Sequence, residues 1–381
     1  MTFRKKSKDV FALGLSNFGT SIIFGLFWMY LATLLPKTEY GELGFFMSIA
    51  NVAFAISFLG LGVTIVIYEP KNHNVFPAAF VLSLISSGIA SVIVYVLYQN
   101  VPLSILVFGM TIFFILTSGL NGKKRYRDYS IHVMIRAAAS VALSLIFYQY
   151  LGMNGILVGY FVASLIVLWE LAGLMKNRKI DFSILKPKVG FMANMWAKRM
   201  SGVMFWWGDK LVIGTLFGYS LLASYQFASQ YLILLDAIPR TISQYLMPQE
   251  AEGLKNKKIK ILAVTFAFIV AIVSIIFIPF GIKSFLPQYE ESILPIQIMS
   301  GGIIPLVISG IQTSQFLGNE KGLVVLIGNI SESGLYLILI IILGQFYGIV
   351  GFAIGFLVAT TMRAIFNLIM SKRMRSTINT C

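Results

Sequence analysis

The stretch GMNGILVGYFVA at residues 152–163 recurs as GIVGFAIGFLVA at residues 348–359, 196 positions further along a chain of 381. Glycines spaced three and four apart among apolar residues let helices approach closely. The recurrence therefore marks matching helix starts in two halves of the chain. A second pair supports the division: LLPKTEYGEL at 34–43 has its counterpart in LFGYSLLASY at 216–225, each joining two apolar runs. Outward from these anchors the composition is uniform, with 57% apolar and 12% charged residues and a mean hydropathy of +0.83. Such a chain is not a water-soluble globule.

A helical crossing needs about 20 apolar residues. Runs of that length lie at 10–35, 43–67, 75–98, 102–120, 129–150, 153–175, 191–218, 221–247, 261–282, 293–317, 323–343 and 348–370. Prolines 36, 77, 102, 239, 279, 295 and 305 sit at or inside these segments, so kinks are expected. The spacing predicts an all-α polytopic membrane protein of about twelve transmembrane helices in two six-helix lobes around a central cleft. The first lobe occupies 1–188, its helices at about 10–175 followed by a basic cytoplasmic linker, and the second 189–381. Because six is even, both lobes insert the same way round.

The formal charge is +15, from 30 Lys+Arg against 15 Asp+Glu. With the N-terminus inside, 22 of the 30 basic residues fall in inner loops, only Lys37 and Lys283 in outer ones, and six within spans. Basic loops of this kind set orientation and touch anionic membrane lipids, and both termini are expected in the cytoplasm. That distribution excludes nucleic-acid binding as the source of the charge. The sole cysteine is Cys381, so no disulfide framework or thiolate cluster is expected. His73 and His132 lack ligand spacing from any acidic cluster, and there is no GxxxxGK[ST] run. No metal and no cofactor is expected.

The segment GVMFWWGDKLVIG at 202–214, with ASYQFA at 223–228 and LMP at 246–248, resembles the seventh and eighth helices of the polysaccharide (Wzx-type) flippases. These belong to the multidrug/oligosaccharidyl-lipid/polysaccharide exporter (MOP) superfamily. Tyr40-Gly41, LGNEK at 317–321 and YGIVG at 347–351 fit the same pattern, so the resemblance covers nearly the whole chain. It implies a non-enzymatic transporter, monomeric and in the plasma (inner) membrane. Its cargo would be a lipid-diphosphate-linked oligosaccharide, moved from the cytoplasmic to the outer leaflet by alternating access, with a proton or sodium ion as candidate coupling partner.

Intramembrane charge is costly and should face water or an opposite charge. Lys198 and Arg199 lie close enough to the cytoplasmic end of the seventh span to snorkel. Arg136, Arg240 and Arg363 share a depth roughly 5 to 9 Å below the midplane, at 1.5 Å per residue. Arginine's planar fork suits phosphate oxygens. These three and Lys210 are candidates for holding a diphosphate; interhelical salt bridges are the alternative. Gln226, Gln230, Arg240 and Gln244 form one polar stripe on the eighth span at 100° per residue, suited to a glycan or to interhelical hydrogen bonds. Asp236 precedes Arg240 by one turn and can pair with it. Glu332, near the midplane with no basic residue within a turn of its own helix, is the first candidate for coupling. Asp209 and Asp236 follow, Asp209 being within reach of Lys198.

Two rivals remain. A cation- or proton-coupled multidrug or metabolite antiporter of the same superfamily would favour an acidic interior, whereas this one is net basic. A membrane-embedded glycan-assembly enzyme would display a large outer loop, and the longest here is about ten residues, 283–292. The topology places Cys381 inside: a membrane-impermeant thiol reagent should label it only after permeabilisation, and labelling in intact cells would refute the orientation.

Overall fold

In the computed structural model the backbone is described for residues 3–71, 73–176, 178–251, 257–319 and 321–379, and side chains within these ranges except 3–15, 17, 236–251 and 374–379. All regular structure among the described residues is helical. The helices are α1 (Phe3–Leu34), α2 (Lys37–Ser57), α3 (Leu61–Tyr68), α4 (Phe76–Tyr98), α5 (Val101–Gly122), α6 (Tyr126–Leu151), α7 (Met153–Ser164) and α8 (Glu170–Met175). They continue with α9 (Val189–Val203), α10 (Asp209–Phe217), α11 (Tyr219–Ala251), α12 (Lys257–Phe285), α13 (Ile293–Gly301), α14 (Ile303–Gly318) and α15 (Gly322–Asn379).

These helices follow the expected spans, with breaks that the apolar pattern did not show. The second run divides into α2 and α3, the tenth into α13 and α14, and the seventh into α9 and α10 around a π-helical turn at Met204–Gly208. Among the described residues, eight helical segments are long and apolar enough to cross a membrane by length and composition; the last, Gly322–Arg373, is 52 residues and bends at Gly348. The chain is an all-α polytopic membrane protein. Several prolines sit at helix starts: Pro77 and Pro102 occupy first turns, where a missing N–H costs nothing. The Asn100 side chain caps α5 by accepting from the Leu103 N–H at 2.8 Å.

The chain packs as two compact units, Met1–Phe27 with Phe46–Val203, and Trp28–Phe45 with Met204–Cys381. Helix α9 and the turn between α1 and α2 thus fall in different units, the turn in the second. Within that unit, Tyr40 packs edge-on against Trp28 and Tyr289, and Lys37 pairs with Glu291 at 2.6 Å. Gln288 donates to the Ala32 carbonyl at 2.9 Å. Helix α9 stays with the first unit, where Gly60, in a left-handed conformation, fits against the Met192 backbone.

On α12 the small side chains face inward and the large ones outward: Ala263, Ala267, Ala271 and Ser274 are buried, while Ile269, Ile272, Ile276 and Phe277 are exposed. Without a hydrophobic drive between helices in lipid, close contact along a small-residue face holds them together.

The sequence repeat reappears as a repeated hairpin. Gly152 turns α6 into α7 at φ 58, ψ −143, and Gly348 bends α15 at φ 52, ψ −132. Both lie where a β-carbon is disfavoured. Gly155 packs on the Phe147 carbonyl, and Gly351, 196 residues later, on that of Leu343, also 196 later. Valine at Gly155 or Gly351 would therefore push backbone against backbone. Each substitution should cost at least about 1–3 kcal/mol by the overpacking precedent, read as a lower unfolding temperature of the purified protein. Gly281→Ala, in open space on α12, should be neutral or slightly stabilising.

Candidate functional site

In the second unit the π-helical turn delivers Asp209 and Lys210 to the interior, both nearly inaccessible. A π turn widens the helix locally and often accompanies function. The Lys210 Nζ donates to the Trp206 carbonyl at 2.7 Å and lies 3.3 Å from Asp209 Oδ1. The Tyr225 hydroxyl donates to Asp209 Oδ2 and meets the Tyr336 hydroxyl. Phe205, Phe352 and Phe356 wall in the tyrosines. The partner of Asp209 is thus the adjacent Lys210 and not Lys198, which is exposed. A carboxylate and an ammonium on neighbouring residues face each other here because Tyr225 from α11 and Tyr336 from α15 close the remaining side.

One turn before Tyr336 on the same face of α15 stands Glu332, its side chain 2% exposed. Arg363, across the bend at Gly348, donates from Nη1 to Glu332 Oε2 at 2.6 Å, and its Nη2 lies 3.4 Å from Thr313 Oγ1 on α14. No basic residue lies within a turn of Glu332, and its partner comes from the other arm of the hairpin. Residues 332 and 363 lie 16 and 15 positions from Gly348, so an antiparallel turn brings them level. Arg363 is consequently committed to an ion pair. Glu332 Oε1, Asn329 Oδ1 and Gln312 Oε1 are buried acceptors with no hydrogen-bond partner among the described residues.

Of the polar stripe on α11, Gln226 and Gln230 are buried, and neither polar atom of the Gln226 side chain has a partner among the described residues. Asp236, Arg240 and Gln244 lie outside the residues whose side chains are described.

In the first unit Arg136, on α6, places its guanidinium carbon 4.5 Å from the Phe113 ring centroid and 5.5 Å from that of Phe114. Its Nε is 3.2 Å from Ser164 Oγ, and it pairs with no carboxylate among the described residues. Arg199 does not snorkel. Its guanidinium carbon sits 4.6 Å from the Phe54 ring centroid and 5.9 Å from that of Phe114, and its Nε is buried without a hydrogen-bond partner. Sequence reading by helix depth could not find this, because the aromatic cluster that attracts Arg199 comes from α2 and α5.

The basic loop after α5 is a structured ion network. Arg125 binds Glu170 at 2.7 and 3.1 Å and Asp128 at 2.6 Å, and Arg178 pairs with Glu69. Burial, and then the nearby Arg178 charge, lowers the Lys123 ammonium from its ordinary value.

The fold is similar to that of transporters of the MOP superfamily. The structure resembles an inward-facing multidrug resistance MATE family transporter of that superfamily at TM-score 0.73, with 16% identity over 97% of this chain and 96% of the other. A Vibrio cholerae MATE transporter, VcmN, matches at 0.70 with 16% identity over 97% of both chains. A Pyrococcus furiosus MOP transporter, described as having a binding pocket of reverse polarity, matches at 0.60 with 14% identity over 98% of this chain and 96% of the other. No curated protein sequence matches the chain. A family profile described as "Polysaccharide biosynthesis protein" matches residues 30–290, and the chain belongs to that family.

Breaking a buried pair from one side leaves a charge uncompensated, at about 3–5 kcal/mol. Glu332→Gln and Arg363→Gln should each lower stability markedly, and the double variant should lose much less than the two losses combined. Additive losses in a denaturant titration would show that the pair does not couple.

Proposed function

We propose that the protein translocates a lipid-diphosphate-linked oligosaccharide from the cytoplasmic to the outer leaflet of the plasma (inner) membrane by alternating access, as a monomer with both termini inside and without enzymatic activity. Membership of the polysaccharide biosynthesis family within a transporter fold carries the reading. Two further features agree with it. Arg136 and Arg199, held against aromatic rings and outside the ion pairs of the described residues, suit an anionic headgroup, and Gln226 and Gln230 offer hydrogen-bonding groups for hydroxyls. The likeness to multidrug transporters, at 16% identity, speaks for the fold and leaves the cargo open.

Among the proposed diphosphate ligands, Arg136 is the strongest, because Arg363 and Lys210 already face carboxylates. Arg240 remains a candidate on its position in the sequence. For coupling, Glu332 stands first. Its free Oε1 can take a proton, which would weaken the Arg363 pair and favour one of two conformations through differential affinity. Asp209 is second, since Tyr225 and Lys210 already satisfy it, and Asp236 third; sodium is the alternative ion.

Deleting the gene should leave lipid-linked glycan on the inner leaflet and reduce surface glycan. Wild-type protein should restore export, and Arg136→Ala should restore much less than Arg136→Lys, which keeps charge but loses the bidentate fork. Normal surface glycan in the deletion strain, with a changed drug susceptibility instead, would favour the antiporter. For Glu332→Gln, transport in vesicles should no longer respond to an imposed pH gradient; an unchanged response would eliminate it as the coupling residue.

A further inference from the structure

Position 136 is the counterpart of position 332 under the 196-residue repeat, and position 167 is the counterpart of 363. The second hairpin holds a matched pair there, Glu332 with Arg363; the first holds Arg136 and Val167. An arginine thus stands where its counterpart is a carboxylate, and the place of the balancing charge is apolar.

The remaining carboxylates of the first unit do not compensate it. Glu69 is taken by Arg178 and the Phe76 N–H, and Asp128 and Glu170 by Arg125. Asp181 caps its own turn at the Ser183 N–H. The only other acidic residue of the unit, Asp9, lies outside the described side chains.

Arg199 adds a second cation to the same aromatic cluster. The Phe54 and Phe114 rings stack with centroids 4.9 Å apart, and Phe113 meets Phe114 edge-on at 5.5 Å. Both guanidiniums lie near Phe114, so their central carbons are within about 11 Å of each other. Ring faces attract cations but do not neutralise them. Two like charges in a low-dielectric setting, one with a buried N–H lacking an acceptor, are stabilised by an anion between them.

We propose that Arg136 and Arg199, held against the Phe54, Phe113 and Phe114 rings, form an anion site of the first unit that takes a diphosphate group. A diphosphate diester carries one negative charge on each phosphorus, matching two guanidiniums, and offers oxygens on both for forked hydrogen bonds. That the diphosphate arrives on a lipid rests on the transport reading above; the site itself rests on the charge imbalance. Arg199, turned in against the Phe54 and Phe114 rings, becomes a substrate ligand.

The test is titration calorimetry of the full-length protein in detergent with inorganic pyrophosphate. Wild type should bind with an affinity that falls with salt. Arg136→Gln and Arg199→Gln should each weaken binding at least tenfold, Arg199→Lys should weaken it less, and Lys198→Gln, at the exposed neighbour, should leave it unchanged. Unfolding temperatures near wild type exclude misfolding as the cause. Competition by a polyprenyl diphosphate, but not by phosphatidylglycerol vesicles, would identify a lipid-linked diphosphate as ligand; no competition would identify a soluble diphosphate and overturn the lipid source. No binding by wild type, or equal binding by both Gln variants, would overturn the site. The two proposals fail separately: pyrophosphate binding that is equal in wild type and both Gln variants, in a protein that translocates lipid-linked glycan, refutes the site alone, whereas Arg-dependent pyrophosphate binding in a protein that moves no lipid-linked glycan refutes the transport reading alone.

Discussion

A charged side chain in hydrocarbon costs several kcal/mol unless another charge, a dipole or water answers it. Among the described residues, the interior of the second unit meets that requirement internally. Lys210 is answered by Asp209 and the Trp206 carbonyl, Arg363 by Glu332, and Tyr225 links Asp209 to Tyr336. In the first unit the described carboxylates are spent on Arg125 and Arg178 near the helix ends, leaving Arg136 and Arg199 to aromatic faces and a serine. The contrast fits the proposed division of labour, with coupling assigned to the matched pairs and anion binding to the unmatched cations.

The scaffold beneath both arrangements is one hairpin used twice. Gly152 and Gly348 supply the same left-handed turn, and Gly155 and Gly351 the same backbone contact. Equivalent geometry with different residues at 136 and 332 is how a duplicated fold can hold an open cation site in one copy and a closed ion pair in the other. The polar column in the second unit follows from the same hairpin, since Glu332 and Tyr336 share a face of α15 and Arg363 returns opposite them.

Much of the fold was legible in the sequence because membrane helices announce themselves by length and apolarity, and the hairpin turns by glycine. The breaks were not. Nothing in the apolar pattern distinguishes the π-helical turn at Met204–Gly208 from continuous helix. The assignment of Trp28–Phe45 to the second unit depends on Tyr40 meeting Tyr289 and Lys37 meeting Glu291, contacts across some 250 residues. The candidate site was legible as a set of costly residues, and less so as a set of pairs. Projection onto single helices missed the Glu332–Arg363 bridge, although counting from Gly348 would have found it. Arg199 was read by depth as snorkelling, and only the rings of Phe54 and Phe114, from other helices, explain why it turns inward.

We propose that this chain carries a lipid-diphosphate-linked glycan across a bilayer. That transport is tested most directly in proteoliposomes holding the purified protein and a fluorescently labelled lipid-linked oligosaccharide, with a membrane-impermeant quencher added outside. The protected inner-leaflet fraction should become accessible to the quencher far faster than in protein-free vesicles, while a labelled phospholipid should not. Equal rates with and without protein, or equal acceleration of the phospholipid, would contradict it.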